Sequence, residues 1–102
     1  MAFRTSWEPG DAASEVAKIA RSGQLPNNVH QRVSPIEPER RGGGYRIECE
    51  SIHGSQHDTK VTIFVRPDPV KGSIVDVVPW SNTSGSEANE VAASLKNAYF
   101  SD

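Results

Sequence analysis

Between Tyr45 and Pro79 the chain repeats with a two-residue period, and this alternation constrains the fold more than any other feature. Tyr45, Ile47, Cys49 and Ser51 alternate with Arg46, Glu48, Glu50 and Ile52; Val61, Ile63 and Val65 alternate with Lys60, Thr62, Phe64 and Arg66. Successive side chains of a strand point to opposite faces, so each run predicts a half-buried strand with one apolar and one charged face. A third run, Ser73 to Val78, is the most β-prone stretch of the chain and is closed by Pro79. The turns expected at Gly54 to Asp58 and at Pro67 to Gly72 are too short for a crossover, so the sheet is antiparallel. Charges of both signs on the outer face, Glu48 and Glu50 against Arg46, Lys60 and Arg66, suit cross-strand pairing in water.

Helices are expected on both sides of this sheet in sequence. Pro9-Gly10-Asp11 reads as a turn into an N-cap, Ala13, Val16, Ala17 and Ala20 recur at helical spacing, and Gly23 supplies the stop, which predicts a helix over 11–22. Residues 1–9 read as an irregular lead-in with Phe3 and Trp7 as anchors. Near the end, Ser84-Gly85-Ser86-Glu87 fits a capping box, and Ala88, Val91, Ala92, Leu95, Ala98 and Tyr99 form a stripe, which predicts a helix over 85–100. Val29 to Ile36 is assigned a short edge strand, ended by Pro35 and Pro38, whose open side invites a second copy and hence a homodimer. Glu37 to Gly44 is a loop. The expected architecture is a single α+β domain over 1–102, a three- to four-stranded antiparallel sheet packed against an N-terminal and a C-terminal helix in the order α-β-β-β-β-α.

Composition narrows the function classes. With 102 residues, 35% of them hydrophobic, and 15 glycines and prolines together, the chain supports one thin core and leaves no room for a deep cofactor cavity. A lone cysteine, Cys49, forbids an internal disulfide, and no stretch reads as a secretion signal or a membrane span, so a cytoplasmic protein without a membrane partner is expected. The net charge of −2 is spread without a basic block, short of the electrostatic footprint of a nucleic-acid binder.

The nearest approach to a metal site is Cys49-x3-His53-x3-His57 with Asp58 beside it. Zinc needs three or four converging ligands, whereas Cys49 falls on the face assigned to the core, so the preferred reading is a buried thiol beside two solvated histidines. A cysteine nucleophile needs an electropositive, accessible setting, which Glu48 and Glu50 oppose. Gly42-Gly43-Gly44 leads into a strand, not a helix, and does not form a phosphate cradle. No catalytic set, metal or cofactor is therefore expected, and the protein is read as a non-enzyme. A histidine- or metal-dependent hydrolase stands third among the readings.

The order of helix, antiparallel sheet and a C-terminal helix opening Ser84-Gly85-Ser86-Glu87 resembles the layout of a double-stranded-RNA-binding domain. That resemblance implies a last helix opening on lysines that bind phosphate; here Glu87, Asn89 and Glu90 stand in those places and would repel it. Nucleic-acid binding through Arg32, Arg40, Arg41 and Arg46 is accordingly the second reading. The first is a protein-interaction module of the inhibitor, immunity or accessory type. Its expected partner-binding residues are Arg40, Arg41 and Arg46, the one basic cluster, and Trp80, which follows a strand.

Overall fold

The computed structural model describes residues 1–52 and 58–100, which form six strands and three helices. The strands are β1 (Ala2–Thr5), β2 (Arg32–Val33), β3 (Glu37–Pro38), β4 (Tyr45–Glu50), β5 (Lys60–Pro67) and β6 (Ser73–Pro79). The helices are α1 (Pro9–Arg21), a 3-10 helix (Pro26–Gln31) and α2 (Gly85–Tyr99). All strand pairs are antiparallel, in the order β1-β6-β5-β4-β2, with β3 also on β4. The α+β class and the antiparallel sheet are as expected; the strand count and the element order are not.

Two corrections account for the difference. The lead-in contains a strand: Phe3 pairs with Val75 and Thr5 with Ser73, so β1 precedes α1 and adds an edge to β6. The strand expected over 29–36 is instead a 3-10 helix followed by two short strands. Asn27 and Asn28 both take positive φ, which turns the chain out of an extended path, and asparagine tolerates that region better than most residues. Val33 pairs with Cys49 and Glu37 with Arg46, so three residues of one strand face two of the other. Pro35 sits inside this bulge, where a missing N–H costs no ladder bond.

Alternation places the core. Ile47, Cys49, Val61, Ile63, Val65, Val75 and Val77 are fully buried on one face of the sheet, and Phe3 joins them from β1. Onto that face pack α1, over β4 and β5, and α2, over β6 and β1. The buried side of α1 is mostly alanine (Ala12, Ala13, Ala17, Ala20) with Val16 and Ile19, which lets the helix sit close to the strands. It starts two residues before the expected Asp11, at Pro9, because proline's fixed φ suits a first helical position and its missing N–H is unpaired there anyway. The expected capping box of α2 is present: Ser84 Oγ accepts from the Glu87 N–H at 3.1 Å, and Glu87 Oε1 accepts from the Ser84 N–H at 3.0 Å. Ala88, Val91, Ala92 and Leu95 carry its buried stripe. With both helices on one side, no element among the described residues covers the other face of the sheet.

Candidate protein-binding face

The uncovered face is built from the outward residues of every strand. Register sets them in rows: Arg32, Glu50, Lys60 and Trp80; then Glu48, Thr62 and Val78; then Glu37, Arg46, Phe64, Asp76 and Ala2; then Arg66, Ile74 and Arg4. Five cations of this face each lie within 4 Å of a carboxylate. Arg32 meets Glu50 at 3.3 Å, Lys60 meets Glu48 at 3.7 Å and Arg66 meets Asp76 at 3.4 Å. Arg46 meets Glu37 at 3.0 Å and Glu39 at 3.7 Å, and Arg4 meets Asp68 at 3.4 Å. Exposed pairs of this kind add ~1 kcal/mol or less each to stability. Their larger effect is to leave the face close to electrically neutral.

Trp80 stands out from this network. Its backbone is held at both ends: its N–H donates to the Lys60 carbonyl at 3.0 Å and its carbonyl accepts from the Thr83 N–H at 2.8 Å. Thr83 Oγ1 in turn accepts from the Lys60 N–H at 2.7 Å. The indole Nε1–H donates to Thr62 Oγ1 at 2.8 Å, and Lys60 Nζ lies 3.9 Å from the ring centroid. The ring thus lies down on the sheet, which is why Thr62 is buried on an otherwise wet face. It still keeps 45% of its surface exposed, with Val78 at 38% and Ile52 at 49% on the same outward side. A second cation–π pair, Arg66 on Phe64 at 4.4 Å, lies further along β5. The position of Trp80 just past a strand was legible in the sequence; the roles of Thr62, Lys60 and Val78 beneath and beside it require the register.

The other expected binding residues lie elsewhere. Arg46 shares the outer face but sits in the Phe64 row, four residues along β5 from Lys60, roughly 13 Å at ~3.3 Å per residue. Both its contacts are glutamates, so its charge is spent locally. Arg40 and Arg41 extend from the loop between β3 and β4, are exposed, and form no ion pair among the described residues. With Glu37, Pro38, Glu39 and Arg46 they line a shallow depression of about 430 Å³. The structure therefore brings Arg40, Arg41 and Arg46 together and leaves Trp80 at the opposite corner.

Of the metal reading, Cys49 is described and His53 and His57 lie outside the described residues, as does most of the turn expected from Gly54 to Asp58. Cys49 is fully buried, and burial pushes its thiol up to about 12, away from the thiolate that a nucleophile or metal ligand requires. Among the described residues no group of three histidine, cysteine or acidic side chains is placed to hold a metal, and no helix is long and apolar enough to cross a membrane. Comparison with protein-family models, curated proteins and solved structures finds no match.

Proposed function

We propose that this is a non-enzymatic protein-interaction module that docks a partner protein on the helix-free face of its sheet, with Trp80 as the anchor. The observation that carries the reading is the state of that side chain. It is half exposed yet held by an indole hydrogen bond, a lysine ammonium over the ring and two backbone bonds. Ordering a side chain on binding costs about 1 kcal/mol, and here that ordering is done before a partner arrives. Tryptophan is the residue most enriched among interface hot spots. Exposed Val78 and Ile52 extend the apolar area, and the paired charges around it form a polar rim.

The charge pattern supports a protein over a nucleic acid. A polyanion gains affinity by neutralising itself on free cations and releasing counterions, and Arg32, Arg46, Lys60 and Arg66 of this face already have carboxylates. The test is capture from the native host's lysate by the immobilised protein, at low and high salt and after nuclease, alongside Trp80→Ala and an Arg40→Glu/Arg41→Glu variant. A protein retained through salt and nuclease, with affinity reduced roughly thirtyfold or more by Trp80→Ala, supports the reading. Recovery of nucleic acid that washes off with salt and ignores Trp80→Ala overturns it.

A further inference from the structure

We propose that the free edge of β1 accepts an extended segment of a partner protein as a further strand, selected by an acidic side chain facing Arg4. This surface is distinct from the Trp80 corner and does not depend on it. Met1 and Val77 exchange both backbone bonds at 2.9 Å, so the alternation of an antiparallel ladder makes Phe3–Val75 and Thr5–Ser73 the next bonded pairs. The N–H and C=O groups of Ala2 and Arg4 consequently point away from β6, and among the described residues nothing pairs with them.

The two edges of the sheet are built differently. The β2/β3 edge carries a bulge, Pro35 and Pro38, features that obstruct strand addition. The β1 edge has neither proline nor bulge. Beside it lie the exposed side chains of Val70, Met1 and Trp7, at 87%, 44% and 37%. A depression of about 280 Å³ opens there, lined by Arg4, Thr5, Ser6, Asp68, Val70 and Lys71.

Charge selects the occupant. Arg4 is 74% exposed, and Asp68, whose side chain is 5% exposed, steadies it from behind at 3.4 Å. Lys71, also exposed, has no ion pair among the described residues. A residue added across from Arg4 would project beside a group of net positive charge, Arg4 and Lys71 against Asp68, and opposite charges directly across strands attract. A second copy paired two-fold about Phe3 would place Ala2 there and offer no carboxylate. The edge therefore fits an alternating strand with one acidic residue, its neighbours on the other face resting near Trp7.

The experiment uses the full chain and two labelled decapeptides of alternating valine and threonine, one with a central glutamate and one with lysine in its place. The readouts are fluorescence anisotropy, amide exchange at Ala2 and Arg4, and sedimentation. The glutamate peptide should bind roughly tenfold more tightly than the lysine peptide and slow exchange at both amides. Ala2→Pro, which removes an outward N–H and leaves the Arg4–Asp68 pair in place, should weaken binding at least roughly tenfold with Tm retained. Arg4→Gln/Lys71→Gln should keep binding and lose the preference between peptides. Equal affinities, protection on β2 and β3 instead, or no binding of the glutamate peptide at concentrations on the order of 1 mM would overturn the proposal. Dimerisation without peptide, protecting Ala2 and Arg4, would overturn it in favour of a second copy.

Discussion

Gly72 and Gly42 share a positive φ and differ in what a Cβ would meet, which allows strain and collision to be separated. Their φ angles are +74° and +81°. An alanine in this region costs ~1–2 kcal/mol, partly offset by the entropy it removes from the unfolded chain. At Gly42 a Cβ meets nothing within 4 Å, so Gly42→Ala should cost about 1 kcal/mol. At Gly72 the Cβ would stand 2.1 Å from the Thr5 carbonyl oxygen and 2.9 Å from Ser6 backbone atoms. Backbone cannot swing aside as a side chain can, so the junction of β1 with β6 has to part. That movement threatens the Thr5–Ser73 pair and the bond from fully buried Ser73 Oγ to the Trp7 carbonyl, 2.7 Å. A buried hydroxyl left without its partner costs ~1–3 kcal/mol, which brings Gly72→Ala to about 3 kcal/mol or more. In urea, with a slope of ~2 kcal/mol per molar, the midpoint should fall by about 1.5 M for Gly72→Ala and by about 0.5 M for Gly42→Ala. Equal midpoints for the two variants would refute the collision argument and the close seating of β1 on which it rests.

Two further outcomes follow from single side chains. Cys49 should resist thiol reagents at pH 8 until the chain is unfolded, because its folded thiol is pushed up to about 12 from an ordinary 9.0. Its folded state holds the proton more tightly than its unfolded state, so this contribution to stability is complete below pH 9.0 and is lost as pH rises towards 12, by on the order of 1 kcal/mol per unit. Urea titrations of Cys49→Val should lack that alkaline loss, and identical pH profiles for both proteins would count against it. Ser84→Ala should cost about 1 kcal/mol by removing the N-cap acceptor of α2, a Tm reduction of roughly 4–8 °C by calorimetry. An unchanged Tm would show that the capping box contributes nothing to stability.

The sequence made the central hairpin and the last helix legible because both are long enough for their periods to repeat. Six residues of β4 and eight of β5 alternate without a break, and the capping box marks where α2 begins. β1 leaves little trace in the sequence because four residues give barely two repeats, and because Ala2 and Arg4 are not strand-prone; its inward pair, Phe3 and Thr5, shows as an alternation only with Val75 and Ser73 opposite. The β2/β3 edge departs from its sequence pattern because Val29 and Val33 share an apolar character but not a strand: Val29 enters the core from the 3-10 helix, after the two positive-φ asparagines. The Trp80 corner was half visible. A tryptophan after a strand is a local feature, whereas its seat on Thr62 and Lys60 depends on the pairing of β5 with β6 across a turn.

Among the described residues, half of the exposed large apolar side chains, Ile52, Val78 and Trp80, fall on the outward side at one end of the sheet; the others, Met1, Trp7 and Val70, fall around the β1 edge. Between these two places lies the ion pair of Arg66 with Asp76, and that of Arg4 with Asp68 borders the β1 edge. That separation matters physically, because a continuous apolar strip along an uncovered sheet and its open edge would template aggregation, while charges set between the two areas interrupt it. The Arg66–Asp76 pair costs a partner little, since it keeps water on one side and need not be stripped to seat a ligand on Trp80. A chain with so thin a core gains nothing in stability from leaving six such side chains in water. Their confinement to two places bounded by paired charges is the pattern expected where the exposed area serves binding.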